Sequence, residues 1–240
     1  MKAYQKEVIQ LLIETKALKF GEFTLKSGRR SPYFINTGCF SRGQAIAKLG
    51  TFYAKHLVDK GLADVDHVFG PAYKGIPLAV TTAIALGNEF NKNINIIFDR
   101  KEAKDHGEKG SIVGGPVTDG QKLVVVDDVI TAGTTVNEIV PMLNSLAKIE
   151  IAAIVVLVDR CEKGQGNLSA VEEIEKTHNI KISPIITVYE ILEYLSSLDC
   201  CYFGEIHNEL PIAKATVSQH LKELKDAGLI QGEIEKPKVK

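Results

Sequence analysis

The stretch Leu123-Val-Val-Val-Asp-Asp-Val-Ile-Thr-Ala-Gly-Thr-Thr135 decides how the chain folds. Leu123 to Val126, three of them valine, have the unbroken hydrophobicity of a strand buried inside a parallel sheet. Two carboxylates, Asp127 and Asp128, follow and are expected to be exposed where the strand ends. A short loop then carries Thr131, Ala132, Gly133, Thr134 and Thr135 into apolar residues at helical spacing: Val136, Ile139, Val140 and Leu143. Backbone N–H groups at a helix start favour an anion, Gly133 lets the backbone come close to it, and the threonine hydroxyls add donors. Carboxylates beside a phosphate can accept sugar hydroxyls or sit near Mg²⁺. Together these features read as a site for a sugar phosphate. The plainer reading is a strand-to-helix turn with a capping aspartate. It leaves two adjacent acids at the end of an apolar strand without a use, which is costly.

Strands and helices alternate on either side of this stretch. Helical spacing covers residues 4–18, 43–60, 76–86, 134–146, 169–176 and 189–198. Short strands broken by the turn Ser27-Gly28-Arg29 are expected over 20–37, and further strands at 67–69, 94–98, 122–126, 151–157 and 182–187. This order predicts an α/β fold, a parallel sheet flanked by helices. Ligands of such sheets bind beyond the C-terminal ends of the strands. Segments 70–77, 127–135 and 159–160 all follow expected strands and so should converge on one edge. Residues 99–120 mix alternating charges with Gly107, Gly110, Gly114, Gly115 and Gly120, which predicts a long loop of the lid type.

Net charge is −1, so no global basic field attracts nucleic acid or anionic lipid. No apolar run approaches the ~20 residues that cross a bilayer. The first residues lack the apolar core of a secretion signal, which makes a cytoplasmic location the expectation. Cys39, Cys161, Cys200 and Cys201 have no zinc or CxxC spacing, and reduced thiols are expected.

Five segments carry a family resemblance: Lys26-Ser-Gly-Arg-Arg-Ser-Pro-Tyr-Phe34, Gly70-Pro-Ala-Tyr-Lys-Gly-Ile-Pro77, Arg100-Lys-Glu-Ala-Lys-Asp-His-Gly107, the 123–135 stretch and Asp159-Arg160. Their order and approximate spacing resemble the orotate phosphoribosyltransferases, members of the type I phosphoribosyltransferase fold, which implies a small N-terminal hood beside the sheet, with a short helical C-terminal tail added in this chain. The likeness runs from Met1 to about Leu198. It implies transfer of a phosphoribosyl group from phosphoribosyl diphosphate to orotate, with Mg²⁺ as cofactor and a homodimer that shares its active sites. The product would be orotidine 5′-monophosphate, a step of pyrimidine (UMP) biosynthesis.

The resemblance also assigns roles. Tyr73 and Lys74 would hold the diphosphate, with a cis peptide between Ala72 and Tyr73. Arg100, Lys101, Lys104 and His106 would close over it, partly from the partner subunit. Without the resemblance, the balancing charges of Asp99, Glu102, Asp105 and Glu108 would make this a solvated loop. Asp127 and Asp128 would serve the ribose hydroxyls and the surroundings of the metal. Thr131, Ala132, Gly133, Thr134 and Thr135 would hold the 5′-phosphate, Thr131 would also face orotate, and Val129 and Ile130 would join the substrate-binding set. For an anionic flat pyrimidine, Arg160 suits bidentate contact with a carboxylate, Lys26 can reach the base or a phosphate oxygen, and Phe34 offers a stacking face. Ile35 stands where relatives often have a second phenylalanine, so only backbone contacts are expected there. The plainer alternatives are a salt bridge between Arg160 and Asp159, and a core position for Phe34.

After Leu198 this likeness stops. Residues 199–240 form a second expected segment whose Thr216–Asp226 stretch resembles the recognition helix of an ArsR-type helix-turn-helix, with Thr216, Ser218, Gln219 and Lys222 toward DNA. Its composition opposes a working DNA reader: six lysines, no arginine and seven acids. Packing against the enzyme domain is the blander alternative. A second function class is a nucleotide-responsive regulator, and a third is transfer to another base, such as a purine. The lid lysines favour catalysis over regulation. Arg160 and the Lys26 segment favour the carboxylated pyrimidine.

Overall fold

In the computed structural model, residues 1–24, 28, 30–104, 110–130, 133–164 and 166–197 are described. Helix α1 (Ala3–Glu14) is followed by strands β1 (Leu18–Thr24) and β2 (Arg30–Ile35), then helix α2 (Gly43–Asp59). Strand β3 (His67–Phe69), helix α3 (Gly75–Phe90) and strands β4 (Asn95–Lys104), β5 (Gly110–Gly114) and β6 (Lys122–Ile130) come next. Helix α4 (Thr134–Leu146), strand β7 (Glu150–Asp159), helix α5 (Ala170–His178), strand β8 (Ile182–Thr187) and helix α6 (Val188–Ser197) complete the described order.

Two compact units divide the chain. One comprises Met1–Ile9 and Phe40–Leu195, and the other contains Gln10–Cys39. The larger unit holds a six-stranded sheet in the order β5-β4-β3-β6-β7-β8. All its neighbours run parallel except β5, which pairs antiparallel with β4. Val124, Val125 and Val126 of β6 and Ala153 to Val158 of β7 are buried, as expected for central strands covered on both faces. Leu143, Ile139 and Val136 of α4 and Ile174 of α5 close one face of this core. The smaller unit contains the antiparallel pair β1–β2, in which Leu18 lies opposite Ile35.

The sheet is mostly parallel and flanked by helices, as expected, with one antiparallel edge pair. One expectation needs correction: the 99–120 segment is not simply a loop. β4 continues to Lys104 and pairs back with β5, with Asp99 opposite Ile112 and Lys104 opposite Gly110. Antiparallel edge pairing needs only short strands and tolerates charge, so a glycine-rich, charged composition concealed it. Gly114 marks the pairing: its φ is +120°, and a Cβ there would lie 2.0 Å from the Ile96 carbonyl oxygen. The expected helix-turn-helix tail, 199–240, and Leu198 lie outside the described residues.

Candidate active site

Three strand ends meet along one edge of the sheet. The loop after β3 is a tight turn, Gly70 to Gly75, closed by the Gly75 N–H donating to the Pro71 carbonyl at 2.8 Å. Side chains are excluded at both glycines. A Cβ on Gly70 would lie 2.1 Å from the Gly75 carbonyl oxygen, and one on Gly75 would lie 2.5 Å from Pro71 Cδ. The Ala72–Tyr73 peptide is cis, as the resemblance implied. Tyr73 is 72% exposed. The Ala72 N–H donates to Asp99 Oδ1 of β4 at 2.5 Å. Lys74 Nζ lies 3.0 Å from Asp128 Oδ2 of β6. The turn is therefore tied to the strand on either side of it.

The acidic pair differs from its expected setting. β6 continues through both acids to Ile130, with Asp127 opposite Val156 and Ile130 opposite Asp159. Asp127 and Asp128 are therefore largely enclosed, not exposed beyond the strand; the Asp128 side chain is 15% exposed. Each carboxylate accepts the next residue's N–H at 2.8 Å: Asp127 Oδ1 from Asp128, and Asp128 Oδ1 from Val129. Beneath them, the fully buried Tyr53 of α2 donates its hydroxyl to the Asp127 carbonyl at 2.7 Å. Burial, and next the neighbouring Asp128, push the Asp127 carboxyl up to about 7. Burial and the neighbouring acid disfavour full ionisation of the pair, a cost that a ligand hydroxyl or a cation would relieve. Among the described residues no group of three or more acids, histidines or cysteines forms a metal cage.

Gly133 stands at the N-cap of α4 with φ +75°, and a Cβ there would lie 2.9 Å from the Ile174 side chain. Close packing and a left-handed backbone together require glycine. Thr134 and Thr135 are exposed at the helix start. Val129 is partly buried, whereas Ile130 is a core side chain that leaves only its backbone for a ligand. Thr131 and Ala132 lie outside the described residues, as do Lys26 and His106. Arg100 is partly buried in β4, and Lys101 and Lys104 occupy the end of that strand.

Arg160 follows β7 and is 5% exposed. Its Nε donates to Glu162 Oε1 at 2.6 Å. The salt bridge weighed from sequence, with Asp159, is replaced by this pair, because Asp159 Oδ1 instead accepts the Cys161 N–H at 2.8 Å. Burial, and next Asp159, push the Cys161 thiol up to about 11, which disfavours a nucleophilic thiolate. In the smaller unit Phe34 is 37% exposed and stacks on Phe23 with ring centroids 5.5 Å apart, so it is not a core residue. Ile35 is buried.

Three residues of this arrangement carried no site role in the sequence reading: Tyr53, Asp99 and Glu162. Asp99 and Tyr53 act through partners distant in sequence. Glu162 lies two residues from Arg160, a signal too common to use alone.

Comparison with known proteins identifies the family. Residues 38–183 match the model of the phosphoribosyl transferase domain, and residues 187–231 that of the arsR family of bacterial regulatory proteins. An orotate phosphoribosyltransferase of Lachnoclostridium phytofermentans is 42% identical over 227 residues, covering 95% of this chain and 96% of that protein. The match therefore enters the segment beyond Leu198. One from Saccharophagus degradans is 51% identical over 197 residues, covering 82% of this chain and 91% of its own. The crystal structure of orotate phosphoribosyltransferase from Francisella tularensis superposes with a TM-score of 0.71 at 33% identity, covering 92% of this chain and 98% of that one. By these matches the chain belongs to the phosphoribosyl transferase family, among its orotate phosphoribosyltransferases.

Proposed function

We propose that this chain transfers the 5-phosphoribosyl group of phosphoribosyl diphosphate to orotate, releasing pyrophosphate and forming orotidine 5′-monophosphate. The observation that carries this reading is the contact between Lys74 and Asp128, which joins the 70–75 turn to the acidic pair at one sheet edge. A cation and two carboxylates side by side suit a sugar carrying a diphosphate. In the reaction the bond between ribose C1 and the diphosphate breaks as the bond to the base forms. Positive charge gathers on the ribose and negative charge on the leaving group, so positioning and electrostatics provide most of the catalysis.

Lys74 supplies positive charge to the leaving diphosphate, and the backbone of the 70–75 turn approaches it closely. Asp127 and Asp128 accept the ribose hydroxyls. Gly133, Thr134 and Thr135, with Thr131 and Ala132, cradle the 5′-phosphate at the start of α4. Arg160 receives the carboxylate of orotate, and Lys26 and Phe34 serve the base. Lys101, Lys104 and His106 neutralise the diphosphate from the β4–β5 segment, with part of the set supplied across a homodimer. Asp127 and Asp128 would stand beside a Mg²⁺ ion brought with the substrate, and the ion would supply positive charge for the leaving pyrophosphate.

No helix among the described residues is long and apolar enough to cross a membrane. A cytoplasmic setting suits such an enzyme. The arsR match over 187–231 supports a second reading for the tail, DNA contact through Thr216, Ser218, Gln219 and Lys222. The acidic balance of residues 199–240 opposes it, and the tail is assigned as an accessory to the enzyme domain 1–198.

The test is orotate consumption with phosphoribosyl diphosphate and Mg²⁺, on the full chain and on a chain ending at Leu198. Activity in both supports the enzyme with an accessory tail, and activity in the full chain alone makes the tail part of the fold or dimer. Inactivity of both, with phosphoribosyl diphosphate still bound, would replace the enzyme by a nucleotide-responsive regulator. Lys104→Ala should cut turnover strongly with folding intact, and unchanged turnover would remove Lys104 from the chemistry.

A further inference from the structure

Strand β3 has only three residues, and both its neighbours run past it. Phe69, its last residue, lies opposite Ile97 of β4 and Val125 of β6. Two residues further along each neighbour stands an aspartate, Asp99 on β4 and Asp127 on β6. Side chains two apart in a strand share a face. The two acids therefore flank, from either side, the place where β3 gives way to the 70–75 turn. The Asp127 carboxyl, raised chiefly by burial and next by Asp128, also feels the charge of Asp99.

The two acids are used differently. Asp127 Oδ1 is taken by the N–H of Asp128 in its own strand. Asp99 Oδ1 instead reaches into the turn and accepts the Ala72 N–H at 2.5 Å, from 27 residues away in sequence. The Gly70 N–H donates to the Ile97 carbonyl at 3.0 Å, so β4 holds the turn at two points, once by backbone and once by side chain. The N–H groups of Tyr73 and Lys74 have no protein acceptor among the described residues, and both residues are exposed. Successive N–H groups left in this state suit an anion. A carboxylate beside a diphosphate repels it. Any gain from Asp99 therefore comes through the hydrogen bond that it accepts and not through its charge.

We infer that Asp99 is a positioning residue for the diphosphate: it fixes the Ala72 end of the 70–75 turn against β4, so that the N–H groups of Tyr73 and Lys74 stand ready for the phosphate oxygens. This rests on the reading of the 70–75 turn as the diphosphate site. Donors fixed in advance bind more tightly than donors that must first be ordered. The same strand continues into Lys101 and Lys104, so one side chain ties the turn to the strand that carries those lysines.

The experiment measures KM for both substrates, with Mg²⁺ and the full chain, in Asp99→Ala, Asp99→Asn, Asp99→Glu and Lys74→Ala. Asp99→Ala should raise the phosphoribosyl diphosphate KM about tenfold or more, with the orotate KM held within about twofold. Asp99→Asn keeps an oxygen acceptor for the Ala72 N–H, removes the charge and should recover most of the loss. Asp99→Glu keeps the charge but displaces the acceptor by a methylene group, and should be impaired more than Asp99→Asn. That order carries the test where Asp99→Ala is too unstable to assay, and the reverse order would overturn the inference. A normal phosphoribosyl diphosphate KM in Lys74→Ala would overturn the diphosphate reading of the turn and this inference with it. A raised KM in Lys74→Ala, with Asp99→Ala unchanged or improved, would overturn the inference alone. Equal loss for both substrates in Asp99→Ala would likewise overturn it, as a purely structural role.

Discussion

Lys74 and Asp128 are 54 residues apart in sequence, and their side chains meet at 3.0 Å across the mouth of the sheet. The lysine is 61% exposed and the aspartate 15%. An ion pair this open to water contributes little to stability, and the proposed function gives its charge another use.

Lys74→Ala should therefore leave the melting temperature nearly unchanged while raising the KM for phosphoribosyl diphosphate about tenfold or more. Parallel melting curves and steady-state kinetics would check this. A variant with normal diphosphate kinetics would remove Lys74 from the site.

Asp127 should make the folded chain sensitive to alkali. Its folded pKa, about 7, is raised above the ordinary carboxyl value of 3.8, chiefly by burial. The stability linked to it is complete below the unfolded value and is lost as pH rises through about 7. Relative to Asp127→Asn, the wild type should lose on the order of a few kcal/mol between about pH 4 and 7 and then level off. Urea unfolding of both proteins across this range tests the sign; a constant difference would show that the carboxyl titrates normally.

His56 should have the opposite effect. It is fully buried, shares one ring nitrogen with the Tyr4 hydroxyl at 3.0 Å and the other with Ser183 Oγ at 2.9 Å. Burial, the largest cause, lowers its pKa from 6.5 to about 4. Stability linked to a depressed histidine is complete above the unfolded value and is lost as pH falls through 6.5 toward 4. The expected loss is on the order of 3 kcal/mol. It should be smaller in His56→Gln, and equal acid sensitivity in the two proteins would refute this origin.

Gly133→Ala should damage both fold and binding. The left-handed backbone costs an alanine about 1–2 kcal/mol, and the new methyl group would meet Ile174. Calorimetry should report the loss, and kinetics a raised KM for phosphoribosyl diphosphate. A fully stable variant with normal kinetics would mean that the loop relaxes freely.

The central strands were legible because burial on both faces leaves an unbroken apolar run, as at Val124–Val126 and Ile154–Val158. α4 was legible from its spacing, and its bounds agree with the expected 134–146. β5 was hidden because Gly110-Ser-Ile-Val-Gly114 is short, lies at an edge and follows a charged segment. The enclosure of Asp127 and Asp128 was also hidden, since a strand that continues past two acids breaks the usual pattern. The pairing of Arg160 with Glu162 depends on a left-handed turn at Cys161, a conformation that cysteine rarely adopts and that no local rule predicts.

The hydroxyl of Tyr53, set against the Asp127 carbonyl, has a consequence for how the protein acquires its activity. These residues are 74 positions apart, and such a bond forms only after loop-closure entropy has been overcome and α2 has docked. The sheet's strands carry their own hydrophobic instruction; the acidic pair borrows its geometry from a distant helix. A folding chain would thus complete its architecture before its chemistry, and damage to the seat of α2 would silence an enzyme whose sheet is still standing.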